Sequence, residues 1–370
     1  MGDMSKERAF EMLDFFYAQG GNFIDTSNNY QSEQSETWIG EWLAAHPDLR
    51  EQMVIATKYT TSFTAHRGFE NGAHPNTSGN GIKSMRVSVD ASLRKLQVSY
   101  IDILYVHWWD FTTSIPELML GLNTLIQQGK VLYLGISDAP AWVVSKANEY
   151  ARGRGLQPFV VYQGRWNAAE RDFEREILGM CAAEGMGLAP WGVLGAGSFK
   201  TEQQREEARR TKEGRQSGEP SERYVKVSAV LEKIADAKGT ALTSVALAYV
   251  MHKAPYVFPI VGGRTIEHLQ GNIEALGLEL TKDEIAEIEG AVEFDVGFPL
   301  NFVGDNPGGV KGPGDIWVAK IGCMTDYVEN SLVSATPPPS PFLIFLRVFD
   351  TLHIAPCPDF ICSRYDTNLI

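Results

Sequence analysis

The 370-residue sequence is poor in cysteine: Cys181, Cys323, Cys357 and Cys362 are scattered and form no C-x-x-C pair. That spacing excludes a disulfide framework and a thiolate zinc site. A reducing compartment, the cytoplasm, is the expected setting. Positive charge is also scarce. Lys and Arg number 33 against 46 Asp and Glu, a formal net charge of −13. Such a chain is a poor partner for nucleic acid or for an anionic membrane. Long apolar runs are missing as well: FLIFLRVF (342–349) is too short to span a bilayer and contains Arg347. The opening MGDMSKERAF is charged and has no apolar signal-peptide core. His66 and His74 lack metal-ligand spacing, so no metal is expected.

What the sequence does have is alternation. Short apolar or β-branched runs recur as NFIDTS (22–27), MVIATK (53–58), IDILYVH (101–107), VLYLGIS (131–137), FVVYQG (159–164), GLAPWG (187–192) and YVFPIVG (256–262). Stretches of helical period lie between them. Residues 5–21 put Phe10, Leu13 and Phe16 on one face and end at Gly20-Gly21. Residues 81–97 repeat Ile82, Met85, Val89, Leu93 and Leu96, and Thr281 with Glu284 forms a capping box. Strand alternating with helix predicts parallel strands joined by crossovers, covered on both faces. No G-x-G-x-x-G follows the first strand, and GVLGAG (192–197) has the wrong spacing for a dinucleotide fingerprint. The expected fold is an α/β (β/α)8 barrel of the TIM type, with its chemistry at the C-terminal ends of the strands.

Two features break this pattern. The chain opens with a helix, so seven strands are visible where a closed barrel wants eight: the first strand is missing from the N-terminus. The tail from about residue 322, with its TPPPSP stretch, has no strand–helix rhythm. The expected organisation is a barrel over 1–305 and a loosely packed extension over 306–370. A barrel without its first strand exposes two sheet edges. The expectation is that this gap stays open beside a tail making few contacts with the barrel, because the Pro-rich linker and the lack of periodicity do not suit a packed element; the alternative is that the tail's apolar run near FLIFLRVF fills it as a substitute strand.

Four polar residues stand at or just beyond strand ends: Asp25, Tyr30, Lys58 and His107. Taken singly, Asp25 reads as a helix N-cap, Lys58 as a solvated lysine and His107 as a buried, satisfied histidine. Together, in a barrel whose first visible strands are neighbours, they converge. The Asp25 carboxylate would pair with the Lys58 ammonium, and that cation would stabilise a Tyr30 phenolate and lower its pKa. His107 would hydrogen-bond a substrate oxygen. Trp108, Trp109 and Trp166 also follow strand ends, and either line a pocket for a flat substrate or pack between loops. The charged stretch 200–224 reads as a solvated loop and helix.

The segments FIDTSNNY, VIATK and ILYVH resemble those that carry the Asp-Tyr-Lys-His tetrad of the aldo-keto reductases. GKVLYLGIS, VVYQGRWN, APWGVLGAG and VGGRTIEHLQGNIEAL resemble that family's cofactor-binding segments. The likeness covers residues 1 to about 305. Within the family it points to the fungal aryl-alcohol dehydrogenase branch and, more narrowly, to norsolorinic acid reductases. It implies an NADPH-dependent oxidoreductase acting on an aromatic, polyketide-type ketone, aldehyde or alcohol. Tyr30 is then the general acid, tuned by Lys58 and Asp25, with His107 polarising the substrate.

The same resemblance assigns the cofactor. Ser137 and Gln163 fall where the nicotinamide carboxamide is held, with Asp138 where many members have Asn. Trp191 falls where a ring stacks on the nicotinamide. Gly192, Leu194, Gly195 and Gly197 would run past the pyrophosphate. Gly262, Gly263 and Arg264 fall at the adenosine 2′-phosphate, and His268 and Asn272 at the adenine end. Gly271 departs from the acidic residue that many members carry there. The alternative expectation is a truncated or non-catalytic NADPH-binding module that acts through a partner protein.

Overall fold

Near-continuous apolar runs, whose side chains alternate between faces, give each strand two apolar faces, and both faces are used. A computed structural model describes residues 4–67, 74–211, 220–303, 344–347 and 352–354. Its strands are β1 (Phe23–Asp25), β2 (Val54–Tyr59), β3 (Ile101–Val106), β4 (Val131–Ser137), β5 (Phe159–Arg165), β6 (Gly187–Trp191), β7 (Ile260–Val261), β8 (Ile344–Arg347) and β9 (Leu352–Ile354). Its helices are α1 (Lys6–Ala18), α2 (Gln34–Ala45), α3 (Ile82–Leu96), α4 (Ile115–Gln127), α5 (Ala141–Arg152), α6 (Ile177–Glu184), α7 (Glu202–Thr211), α8 (Glu222–Lys238), α9 (Leu242–Lys253), α10 (Ile266–Glu274), α11 (Lys282–Gly290) and α12 (Leu300–Val303). The charged stretch thus holds a helix, α7, while residues 212–219 lie outside the described residues.

The first six strands pair in chain order and in parallel, from β1 to β6. A parallel bridge from Leu188 to Val257 ties β6 to the segment entering β7. The circle is completed by the tail. β8 lies between β1 and β7, parallel to both, pairing Ile24 with Leu346 and Ile260 with Phe345. The expectation of an open edge beside a loosely packed tail is thus overturned at 344–347: the alternative, a substitute strand, fills the gap because the unpaired backbone groups of β1 and β7 find partners there. β9 returns antiparallel along β8. Residues 304–343, which join barrel and β8, lie outside the described residues.

Period two sorts the core into two parts. Phe23, Ala56, Tyr105, Val161, Ala189 and Ile260 point inward and fill the barrel's interior. Ile24, Ile55, Leu104, Ile136, Tyr162 and Leu188 point outward and pack under the helices. Gly135 is required in the inner layer: a Cβ there would sit 2.5 Å from the Tyr105 ring. The Thr281/Glu284 capping box at the start of α11 is present. Among the described residues, no helix is long and apolar enough to cross a membrane.

Candidate active site

On six strands the inner-layer residue is followed, two residues on, by a polar or aromatic one: Phe23 by Asp25, Ala56 by Lys58, Tyr105 by His107, Gly135 by Ser137, Val161 by Gln163, Ala189 by Trp191. The side-chain period therefore places these six one layer above the apolar plug, at the C-terminal mouth of the barrel. Lys58 Nζ donates to Asp25 Oδ2 at 2.5 Å and to the Thr26 carbonyl at 2.8 Å, and both members of the ion pair are fully buried. Gln163 Nε2 donates to the other carboxylate oxygen of Asp25 at 3.0 Å, so this amide belongs to the Asp25–Lys58 cluster. Lys58 Nζ stands 5.2 Å from the centre of the Tyr30 ring and 5.6 Å from that of Tyr105. The Tyr30 hydroxyl is 3.4 Å from His107 Nε2, and the two rings meet edge to face. All four residues expected from the sequence converge.

The loop that carries Tyr30 is fixed from outside the barrel. Gln31, Ser32 and Glu33 have φ of 48°, 53° and 78°, a left-handed run without glycine. Lys95 on α3 holds it, bonding the Asn28 carbonyl at 2.7 Å and pairing with Glu33 at 3.2 Å and Glu36 at 2.8 Å. Glu36, fully buried, also accepts from Thr57 Oγ1, beside Lys58, at 2.5 Å. Ser27 Oγ lies 3.2 Å from His107 Nδ1. Sequence reasoning missed Lys95, Glu36 and Ser27. The one available signal was a glutamate, Glu36, in the first turn of a helix whose following residues are apolar.

The expected nicotinamide end is assembled at β4, β5 and β6. Trp191 Nε1 donates to both oxygens of Asp138, at 3.2 and 3.3 Å, and Ser137 Oγ reaches the same carboxylate at 3.4 Å. Burial raises the Asp138 carboxyl above its ordinary range; the Trp191 and Ser137 bonds and the pull of Lys58 and Arg165 act against this. After β6, Gly192, Gly195, Ala196 and Gly197 all have positive φ. The amides of Gly195 and Gly197 are bonded to the loop's own Gly192 and Leu194 carbonyls.

At the expected adenosine end a cavity of about 500 Å³ is lined by Met4, Ser5, Arg8, Arg264, Thr265 and His268. Thr265 caps α10, and Arg264 and His268 are exposed at its mouth, whereas Asn272 is buried. A Cβ on Gly263 would meet the His268 Cβ at 2.6 Å, so glycine permits the close turn. Two guanidiniums and a helix N-terminus suit a phosphate group, so the residues present fit a 2′-phosphorylated dinucleotide.

Of the three tryptophans weighed as pocket walls, Trp109 and Trp166 are buried packing residues. Trp166 stacks on Phe173 at 5.2 Å. Trp108 is 39% exposed and is held by Thr61 Oγ1 at 3.0 Å; Phe111, in the same loop, is 72% exposed.

A parallel barrel with an Asp–Lys pair below a Tyr–His pair at its mouth defines an oxidoreductase of a particular class. The aldo/keto reductase family model matches residues 1–293, and the chain belongs to that family. It is 57% identical to norsolorinic acid reductase B of Dothistroma septosporum over 334 residues, 89% of this chain and 84% of the relative. It is 54% identical to norsolorinic acid reductase B of Aspergillus parasiticus, covering 89% and 88%. To an aryl-alcohol dehydrogenase of Pestalotiopsis microspora it is 53% identical, covering 89% and 83%.

Proposed function

We propose that this aldo/keto reductase uses NADPH to reduce the ketone or aldehyde of an aromatic, polyketide-type substrate to the alcohol. The observation that carries the reading is the Tyr30 hydroxyl, 3.4 Å from His107 Nε2 at the barrel mouth and above the buried Lys58–Asp25 pair. When bound, the nicotinamide supplies a hydride. Tyr30 gives its proton to the carbonyl oxygen as charge develops there, and the Lys58 ammonium stabilises the phenolate left behind. Asp25 and Gln163 keep that ammonium in place. His107 holds the substrate oxygen beside Tyr30. Trp191 and Ser137 hold the nicotinamide end, and Arg264 the 2′-phosphate.

Support for an aromatic substrate comes from exposed Trp108 and Phe111 on the rim after β3, and from the aryl alcohol in the name of the Pestalotiopsis microspora relative. Norsolorinic acid is the first compound to test. The experiment follows NADPH consumption by the purified chain with norsolorinic acid, a simple aromatic aldehyde and an aliphatic aldehyde. Turnover of the aromatic compounds, lost in Tyr30→Phe, is expected. Cofactor binding without turnover of any carbonyl would favour a non-catalytic module instead.

A further inference from the structure

Asp138 follows β4 in a left-handed conformation, φ +44°. Its amide donates to the Gln163 carbonyl at 3.0 Å, and both carboxylate oxygens accept from Trp191 Nε1. The backbone is thus tied to β5, and the carboxylate is pinned by Trp191 at the end of β6. Among the described residues it forms no ion pair. Lys58 is matched by Asp25 at 2.5 Å, and Arg165, 55% exposed, leans toward Glu170 at 3.8 Å. An anion without a direct counter-charge therefore sits at the place where, on the reading above, the nicotinamide lies against Trp191.

The ring is neutral while it holds the hydride and carries one positive charge once the hydride has left. A fixed carboxylate beside the bound ring would stabilise the charged form and leave the neutral form nearly untouched. We propose that Asp138 biases the bound cofactor toward its oxidised form, so that the site releases hydride to a carbonyl more readily than it recaptures hydride from an alcohol. Electrons balance: the hydride's two electrons form the new C–H bond at the carbonyl carbon, the proton comes from Tyr30, and Asp138 exchanges nothing. This inference rests on the NADPH reading of the site.

The test is the affinity of the purified protein for NADP⁺ and for NADPH, each measured by calorimetry without substrate. Asp138→Asn keeps an acceptor oxygen for Trp191 and suits a left-handed backbone, but removes the charge. In Asp138→Asn the ratio Kd(NADP⁺)/Kd(NADPH) is expected to rise about five- to tenfold, the order for a unit charge at a partly exposed site. Tenfold corresponds to about 30 mV in a two-electron potential. Asp138→Glu retains the charge and should keep the ratio near the parent's even if both affinities fall. An unchanged ratio in Asp138→Asn, or an equal loss for both cofactor forms, overturns the proposal while leaving the cofactor reading intact. A parent protein that binds neither form overturns both.

Discussion

Lys58 Nζ touches the Asp25 carboxylate at 2.5 Å, and neither side chain is reached by solvent. A buried pair contributes little net stability, but removing one member strands a charge. Lys58→Met should therefore cost about 3–5 kcal/mol in unfolding free energy. It should also abolish turnover, because the cation beneath Tyr30 is gone. Urea denaturation with a turnover assay checks both. Parent-like stability would mean that Asp25 finds another partner.

Tyr30→Phe separates chemistry from folding. The ring stays beside Lys58 and His107, and only the hydroxyl is lost. Carbonyl reduction should fall by roughly 10²–10⁴-fold, the range for losing a general acid. Melting temperature and NADPH affinity should stay close to the parent's. A variant that reduces an aromatic aldehyde at the parent rate would remove Tyr30 from this role.

Why these residues were legible follows from strand period. Asp25, Lys58 and His107 terminate apolar runs, and period two carries each from the inner core layer to the mouth. The sequence could not show which rim aromatics face out, because Trp108 and Trp109 differ only in which side of one loop they take. Nor could it show Lys95 or Ser27, whose roles depend on contacts 67 and 80 residues away along the chain. The left-handed run Gln31–Glu33 was invisible for a different reason: it uses none of the glycines that mark such turns.

Lys95→Met tests the support of that run. The substitution leaves the buried Glu36 carboxylate without its cation and frees the Asn28 carbonyl. The expected cost is several kcal/mol, with about 3–5 kcal/mol as the reference for breaking a buried pair. Turnover should fall further than NADPH affinity does, since the loop carries Tyr30 and not the expected cofactor contacts. Thermal unfolding and a kcat-against-Kd comparison decide it. Equal losses in both would assign Lys95 to general stability alone.

Arg264 is exposed beside the cavity that Arg8 also lines, and no ion pair engages it among the described residues. A charge-assisted bond to the 2′-phosphate of NADPH contributes roughly 1.5–3 kcal/mol, and the low end applies to an exposed site. Arg264→Ala should weaken NADPH roughly tenfold, leaving NADH nearly unchanged, since 1.4 kcal/mol is a factor of ten. Fluorescence titration with both cofactors is sufficient. Matching losses would exclude the guanidinium from phosphate recognition.

The strand β8 makes the sharpest demand on the fold. It pairs Ile24 and Asp25 on one side with Leu346 and Arg347, and Ile260 and Val261 on the other with Phe345 and Leu346. Backbone donors and acceptors of β1 and β7 are thus satisfied by a segment far along the chain. Removing it would leave two unpaired parallel edges and open the inner layer to water. The strand that carries Asp25 is one of those edges, so the ion pair with Lys58 would lose its lateral support. A chain ending at Val303 should therefore aggregate or melt at a lower temperature, and its NADPH binding should weaken. In the intact protein, limited proteolysis should spare 344–347 even where it cuts between Val303 and that strand. The cut tail should stay associated with the barrel on a sizing column. If the shortened chain instead keeps the parent's melting temperature and cofactor affinity, β8 is not the strand that closes the barrel.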